Sequence, residues 1–209
     1  MGVEKRAVAT AERPRCIDEA AIQDNGHLVA AMGMPGHRPA GPDPHQHGLL
    51  GGIADEGVVR NLAAVPWPYD ESHAREFAGR AFDPLYPTFL AARAADAEVI
   101  GCIGLAPVRR GRDCGVELGY WIARRYWGQG FATEAGHAVL DIARVLGHGT
   151  VESSHFLDNP ASGKVLRKLG FEPRGQVVLR HSCARGEEVE AAEYRLRLDE
   201  ADSVTQRAA

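Results

Sequence analysis

The sequence predicts a domain of the α+β (mixed α/β) class, because it contains two different hydrophobic patterns. Residues 88–123 contain three apolar runs separated by short turns, which is the pattern of an antiparallel meander. Beyond Gly128 and Gly130 the apolar residues recur every three or four positions, as in an amphipathic helix. Strands and helices of this kind pack together as layers around a shared core.

The first 48 residues are predicted to be an irregular or disordered segment. Residues 34–48 are rich in Pro, Gly and His and show no apolar period. Prolines break this run, so we interpret its histidines as part of a solvated linker and expect no metal site. These histidines are His37, His45 and His47.

Organised structure is expected from residue 49, first as short helices and an extended segment. The apolar residues of 49–62 indicate a short helix that ends near Gly57, followed by one further turn. Residues 65–69 must be extended, because each of the two prolines disfavours helix in the residue before it. A helical stripe then runs from Asp70 to Phe82.

The remaining elements follow from local pattern and from helix-boundary residues. Asn159 followed by Pro160 is a strong helix start, and Gly170 is a matching stop. The predicted strands are 88–93, 98–106, 115–123 and 150–156, with a closing hairpin of 176–183 and 189–198. The predicted turn between the second and third strands covers 109–113, and the predicted helices cover 132–147 and 160–169. The domain therefore spans 49–199, and 200–209 form a flexible tail.

Composition fits a soluble cytoplasmic protein. Hydrophobic residues make up 44% of the 209 residues, and the formal net charge of −4 gives no reason to expect nucleic acid as a partner. The four cysteines form no CxxC pair, and no run approaches the roughly 18 apolar residues of a membrane span. We expect no membrane partner, whereas a homodimer stays open.

The segment 125–132 (RYWGQGFA) is a candidate anion site. It joins a predicted strand to a predicted helix, where unpaired N–H groups and the positive end of the helix dipole meet. Gly128 and Gly130 remove side chains that would hold a phosphate away from those groups. The alternative is a turn that needs glycine only for its backbone conformation. The spacing fits neither a Walker loop nor a dinucleotide fingerprint.

The motif Arg125-x-x-Gly128-x-Gly130 resembles the acyl-CoA loop of the GCN5-related N-acetyltransferase (GNAT) superfamily. The runs GYWIARRYWGQGFATEA and DNPASGKVLRKLGF, together with VPWPYD at 65–70, are similar to the RimJ/RimL-like branch, which acetylates N-termini of ribosomal proteins. The resemblance covers about residues 50–198. It implies a mostly antiparallel sheet splayed at the strand 115–123, with acetyl-CoA as co-substrate. Nothing in the first 49 residues matches the family's L-x-L-R-P strand, so we expect the N-terminal strand to be missing or irregular.

The resemblance also implies where the coenzyme binds. Pantetheine would pair with β-strand backbone, the pyrophosphate would lie on loop amides, and a backbone N–H near Tyr120–Trp121 would polarise the thioester carbonyl. The implied coenzyme-binding residues are Ile122, Ala123, Arg125, Tyr126, Trp127, Gly128, Gln129, Gly130, Phe131, Ala132, Asn159 and Lys164. Lys164 has the alternative of an exposed helical lysine with no role.

The implied reaction is direct attack of a neutral amine on the thioester. Glu117 is the candidate base, with an outward-facing strand carboxylate as the alternative; His155 is a weaker candidate. Asn159 and Ser162 match an N-x-x-S motif in which serine meets the sulfur, although both also suit a helix cap. Trp67, Tyr69 and Phe82 are expected near the acceptor, together with Glu117, unless the aromatic side chains belong to the core.

Three functions follow from this site. The first is acetylation of a protein or peptide N-terminal α-amine, whose pKa of about 7.7–8.0 leaves part of it neutral at pH 7. The second is acetylation of a small amine such as an antibiotic, a polyamine or an amino acid. The third is a non-catalytic acyl-CoA-binding regulatory module on the same fold.

Overall fold

The computed structural model describes residues 28–32, 44–79, 83–110 and 113–198. The helices within these ranges are α1 (Pro44–Ile53), α2 (Glu56–Val59), α3 (Glu71–Ala78), α4 (Phe131–Val145) and α5 (Pro160–Lys168), with a 3₁₀ turn at Arg124–Tyr126. The strands are β1 (Leu28–Met32), β2 (Thr88–Arg93), β3 (Val99–Arg110), β4 (Asp113–Ile122), β5 (Thr150–Phe156), β6 (Glu172–Ser182) and β7 (Glu187–Arg197). They form a sheet in the order β1-β2-β3-β4-β5-β7-β6. The predicted mixed α/β class is confirmed.

The meander β2-β3-β4 confirms the strand pattern of the sequence, but β3 and β4 extend further towards each other than predicted. Residues 109–113 were expected to be a turn, whereas β3 continues to Arg110 and β4 begins at Asp113. Arg110 pairs with Asp113 across the ladder, which gives the charged residues backbone partners. The prediction was wrong here because charge in a strand end resembles charge in a loop.

The expectation of an irregular or disordered first segment, with its N-terminal strand missing or irregular, is corrected for Leu28–Met32, which form β1. This strand pairs antiparallel with β2, from Leu28 opposite Arg93 to Met32 opposite Phe89. An unpaired β2 edge would expose a row of N–H and C=O groups, and β1 satisfies them. Helix α1 also begins before residue 49, at Pro44. The remainder of the segment lies outside the described residues, as does the predicted C-terminal tail.

Two hydrophobic layers pack on opposite faces of the sheet. Helices α4 and α5 cover one face, where Leu118, Val139 and Leu166 are each at most 2% exposed. Helices α1 to α3 cover part of the other face, where Trp121 packs with Leu49. Each fully buried side chain of this kind contributes about 1.5–3 kcal/mol to stability. Side chains alternate along β4, so Leu118 and Tyr120 point towards α4 and α5, whereas Trp121 points towards α1.

The sheet splits between β4 and β5, as the family resemblance implied. These strands are parallel and share a single register pair, Glu117 opposite Glu152. Strand β5 instead pairs along its full length with β7, from Thr150 opposite Arg197 to Phe156 opposite Ala191. The carboxyl-terminal half of β4 therefore has an open edge that faces a gap in the sheet.

Helix boundaries in the second half of the domain follow the sequence signals closely. Asn159 caps α5 by accepting a hydrogen bond from the Ser162 N–H, and Pro160 is its first residue. No helix within the described ranges is long and apolar enough to cross a bilayer.

Candidate active site

A cleft of about 900 Å³ opens at the split in the sheet. Its walls come from the end of β4, the segment 125–132 (the glycine loop), the first turns of α4 and α5, and the side chains of α1 to α3 that face β4. A mostly apolar cleft with a few convergent polar groups is the usual form of a small-molecule site. The polar groups divide into three sets: loop amides, a hydroxyl pair and a carboxylate with its partners.

The glycine loop presents a row of unpaired main-chain donors. Gly128 and Gly130 adopt φ values of 75° and 92°, a conformation that other residues rarely accept. The N–H groups of Thr133 and Glu134 both donate to the Gly130 carbonyl, at 2.9 and 3.1 Å. The five N–H groups from Gly128 to Ala132 donate to no acceptor in the described part of the chain.

The space in front of this loop is open. A Cβ atom added at Gly128 or Gly130 would have no protein atom within 4 Å, and both glycines line the cleft. Bare donors that face open space at the start of a 15-residue helix are suited to an anion, because the helix dipole adds to their field. The residues present therefore fit a pyrophosphate.

Side chains of the same loop brace it from behind. The Arg125 guanidinium pairs with the Glu98 carboxylate, and the Tyr126 hydroxyl donates to the same carboxylate. The Gln129 side-chain amide donates to the Arg125 carbonyl at 3.1 Å. Tyr126 also lines the cleft, but Arg125 and Gln129 do not. The side chains of Arg125 and Gln129, both predicted to bind coenzyme, thus stabilise the conformation of the loop.

The open edge of β4 is set by strand alternation. The Ala123 N–H donates to the Ile100 carbonyl of β3 at 2.7 Å, so the backbone groups of Ile122 and Tyr120 point the other way, into the gap. The Trp127 indole N–H donates to the Ile122 carbonyl at 2.6 Å. Of the two predicted pantetheine partners, Ile122 lines the cleft, whereas Ala123 is turned to β3.

A hydroxyl pair joins β4 to α5 across the gap. The Tyr120 hydroxyl lies 2.7 Å from the Ser162 Oγ and 3.2 Å from the Ser162 carbonyl. Burial raises the pKa of Tyr120 to about 12, although the hydrogen bond with Ser162 opposes the shift. From the sequence, only the backbone of Tyr120 was predicted to act in the site. The alternation that places Leu118 and Tyr120 on one face was the available signal for its side chain.

Helix α5 adds positive charge to the cleft. Lys164 lines it, and so does Lys168, one turn further along the same helix face. Lys168 was not predicted as a site residue, although its i, i+4 spacing from Lys164 is visible in the sequence. Asn159 also lines the cleft while its Oδ1 accepts from the Ser162 N–H at 3.4 Å.

Glu117 and Tyr120 both lie on β4 but on opposite faces of the sheet, because side chains alternate along the strand. The Glu117 Oε1 accepts from the Arg180 Nη1 at 2.6 Å and from the Ser154 Oγ at 3.4 Å. Its Oε2 accepts no hydrogen bond from the described residues, and the residue lines the cleft. Arg180 and Ser154 were not identified from the sequence. They lie on β6 and β5, and local sequence does not indicate that these strands bring side chains close to Glu117 on β4.

The other predicted residues lie in different surroundings. The His155 Nδ1 lies 2.8 Å from the Phe156 carbonyl, and its Nε2 is so close to Gly163 that a Cβ there would come within 2.5 Å. Tyr69 is 9% exposed and lines the cleft. The structure does not bring Trp67 there: it is 40% exposed and lines a separate surface pocket of about 540 Å³. Phe82 is outside the described residues.

Among the described residues, no group of three or more His, Cys, Asp or Glu side chains is placed to hold a metal ion. The split sheet, the helix that starts on a glycine loop and the cleft between them define the acyl-CoA acyltransferase class of fold. A family model for the acetyltransferase (GNAT) domain matches residues 42–172. This is more than half of the chain, so the chain belongs to the GNAT acetyltransferase family.

Similar proteins agree with this membership. The uncharacterized N-acetyltransferase YoaA of Bacillus subtilis (strain 168) is 34% identical over 79 residues, which is 37% of this chain and 44% of YoaA. The chain thus spans less than half the length of this relative. A probable GNAT acetyltransferase from Chromobacterium violaceum superposes with a TM-score of 0.66 at 17% identity, over 94% of this chain and 96% of the other.

A second solved structure carries bound ligands. A spermidine N-acetyltransferase from Vibrio cholerae, solved in complex with CoA and spermine, superposes with a TM-score of 0.63 at 16% identity. The superposition covers 83% of this chain and 96% of that protein. At 16 and 17% identity, these superpositions show that the folds are alike and nothing further.

Proposed function

We propose that this protein transfers an acetyl group from acetyl-CoA to a primary amine by direct attack of the amine on the thioester. The observation that carries the proposal is the continuity of the cleft, which runs from the open amides of Gly128–Ala132 to Glu117 on one side and Ser162 on the other. A coenzyme anchored by its pyrophosphate at the loop would extend its thioester between these two groups. Family membership supports the same chemistry.

In this proposal the chain binds the coenzyme mainly through backbone. The five loop amides hold the pyrophosphate, and the exposed side chains of Lys164 and Lys168 add charge beside it. The pantetheine arm pairs with the open edge of β4 at Ile122, where the Trp127 indole must give up its hydrogen bond to the carbonyl. The Tyr120 N–H points into the same gap and donates to the thioester oxygen as charge develops on it.

Glu117 accepts the proton that the amine loses. The amine nitrogen bonds to the thioester carbonyl carbon, a proton passes from that nitrogen to Glu117 directly or through water, and the carbon–sulfur bond then breaks. Oε2 is the receiving atom, because Oε1 is already held by Arg180 and Ser154. These two partners fix the orientation of the carboxylate.

The leaving thiolate departs on the opposite side, towards Ser162. A thiol has a pKa of about 8.5, well below the value of about 12 to which burial raises the pKa of Tyr120. The Tyr120–Ser162 pair therefore stabilises the thiolate by hydrogen bonding and keeps its own protons, while the sulfur is protonated later from solvent. Tyr120 thus shares with Ser162 the contact to the sulfur that the sequence predicted for Ser162 alone.

The acceptor that we propose is a protein or peptide N-terminal α-amine, in keeping with the RimJ/RimL-like motifs. An α-amine is partly neutral at pH 7, so a single carboxylate with one free oxygen is a sufficient base. A small amine is the second candidate, favoured by the Vibrio cholerae relative that was solved with spermine. We expect the protein to act in the cytoplasm.

Thiol release from acetyl-CoA, measured with a panel of peptides and small amines, tests the proposal. Glu117→Gln keeps the shape of the side chain but removes the base, and we expect kcat to fall by about 100-fold or more with the best amine. Glu188→Gln, a change at a half-exposed β7 carboxylate paired with His181, should leave kcat unchanged. Binding of CoA without turnover of any amine would instead show a non-catalytic module. Equal rates for the two variants would remove Glu117 from the mechanism.

A further inference from the structure

The acceptor side of the cleft contains a guanidinium, that of Arg180, which contacts the proposed base and has further N–H donors. Arg180 and Glu117 are each 23% exposed at their side chains, and both line the cleft. A guanidinium has five N–H donors. Only Nη1 of Arg180 has a hydrogen-bond partner among the described residues, which is the Glu117 Oε1 at 2.6 Å. Nε and Nη2 are left for a ligand.

The pair offers two complementary atoms side by side. The Glu117 Oε2 can accept from an amine, and the free edge of the Arg180 guanidinium can bind a carboxylate in its fork. Because Nη1 and Oε1 are in direct contact, the amine and the carboxylate of one acceptor must be separated by only a few bonds. An α-amino acid has this arrangement, and so does a peptide whose first residue is acidic.

The cationic group beside the proposed base disfavours a polycation. Of the three Lys and Arg side chains that line the cleft, Lys164 and Lys168 lie on α5 beside the proposed phosphate site, whereas Arg180 contacts Glu117. A polyamine would place several positive charges here, one of them next to Arg180, and like charges at close range repel.

We infer that the acceptor of this acetyltransferase is a primary amine that carries a carboxylate close to the amine, and that Arg180 binds this carboxylate. The inference rests on the proposed function and narrows it. Free amino acids and peptides with an N-terminal Asp or Glu share the recognised chemistry, whereas amines without a nearby carboxylate lack it.

Matched acceptor pairs test the inference in the wild-type protein. Acetylation rates are compared for amino acids against their amides, for peptides beginning with Asp against the same peptides beginning with Asn, and for spermidine. We expect kcat/KM to be about 10- to 100-fold higher for the acid of each recognised pair. Which pair shows the preference separates free amino acids from peptides. Equal rates within every pair, or a best rate with spermidine, would overturn the inference while leaving the acetyltransferase intact.

The variant Arg180→Gln gives the matching residue-level test. It should abolish the preference for the acid within each pair, whereas the loss that comes from a less firmly oriented Glu117 carboxylate should be the same for the acid and its amide. Arg195→Gln is the control, because Arg195 pairs with Glu152 on β5 and does not line the cleft. The same acceptor pairs are also titrated calorimetrically into protein saturated with CoA. An acid preference in binding would support the inference even if the proposed turnover failed, and its absence there would contradict it.

Discussion

The Tyr120 and Ser162 side chains show how a single strand position serves two roles. Tyr120 packs partly in the core beneath α4 and α5, while its hydroxyl lies 2.7 Å from the Ser162 Oγ at the cleft. Burial disfavours the tyrosinate, so the hydroxyl stays protonated through the neutral pH range. A donor held in this way costs no reorganisation when the sulfur becomes negative.

The raised pKa of Tyr120 predicts a loss of stability at high pH. In the unfolded chain this group ionises near its usual value of 10, and in the folded chain near 12, so between these values the unfolded state binds fewer protons. The free energy of unfolding therefore falls as pH rises from 10 to 12, by about 1.4 kcal/mol per pH unit for this one group. Below pH 10 the full stability is present.

Urea unfolding of the wild type and Tyr120→Phe at pH 9 and pH 11 measures this effect. We expect the wild type to lose about 1 kcal/mol more than the variant between the two values. Cys102, whose pKa burial raises to about 12, contributes equally to both proteins and cancels in the comparison. The same pH dependence in both proteins would show that Tyr120 is not held in its neutral form.

Among the elements, α5 has the most roles in the site. Its first turn supplies Asn159 as cap and Ser162 as the partner of Tyr120, and its exposed side supplies Lys164 and Lys168. Pro160 and the cap fix where this helix starts, and the helix geometry then fixes the positions of all four side chains relative to one another. The helix itself was predictable from sequence, because the signals that start and end it are local.

Charge on α5 should contribute to coenzyme affinity. Lys164→Gln and Lys168→Gln are each expected to weaken CoA binding by about 2- to 5-fold, because each removes one exposed ion pair with phosphate. The loss should shrink at high salt, where exposed charges are screened. Calorimetric titrations at about 50 and about 300 mM salt provide the measurement, because the Debye length shortens by roughly half over this range.

The control for these lysines is Arg197→Gln, which removes the same charge from an exposed position on β7 that does not line the cleft. This variant should bind CoA as the wild type does. An equal loss in all three variants would point to net charge of the molecule, and no loss in either lysine variant would remove α5 from the phosphate site.

At the scale of the whole molecule, the sheet order brings the site together. Tyr120 and Ser162 are 42 residues apart in sequence, and Glu117 and Arg180 are 63 apart. The strands β2 and β5 and the glycine loop were predicted from local pattern, because turns, caps and apolar periods lie within a few residues of each other. Contacts between residues so far apart in sequence depend on the order of the strands in the sheet, and the local sequence pattern does not determine that order.

Strand β1 illustrates the same limit. Its residues, LVAAM, form a short apolar run between stretches without an apolar period, so nothing local distinguishes a strand from an isolated hydrophobic patch. Its partner is β2, more than fifty residues later in the sequence as printed, and only the need of that edge for hydrogen bonds explains the pairing.

The binding of a diphosphate by the open amides of Gly128–Ala132 underlies every step of the proposed chemistry. Calorimetric titration of CoA into Gly128→Asp tests it most directly, because the added carboxylate would occupy the open space at the loop and repel phosphate. Gly175→Asp is the matched control: its φ of 71° is close to the 75° of Gly128, and a Cβ there also has open space, away from the cleft. We predict that Gly175→Asp binds CoA as the wild type does and that Gly128→Asp shows no measurable binding. Equal CoA affinity in the two variants would contradict the account.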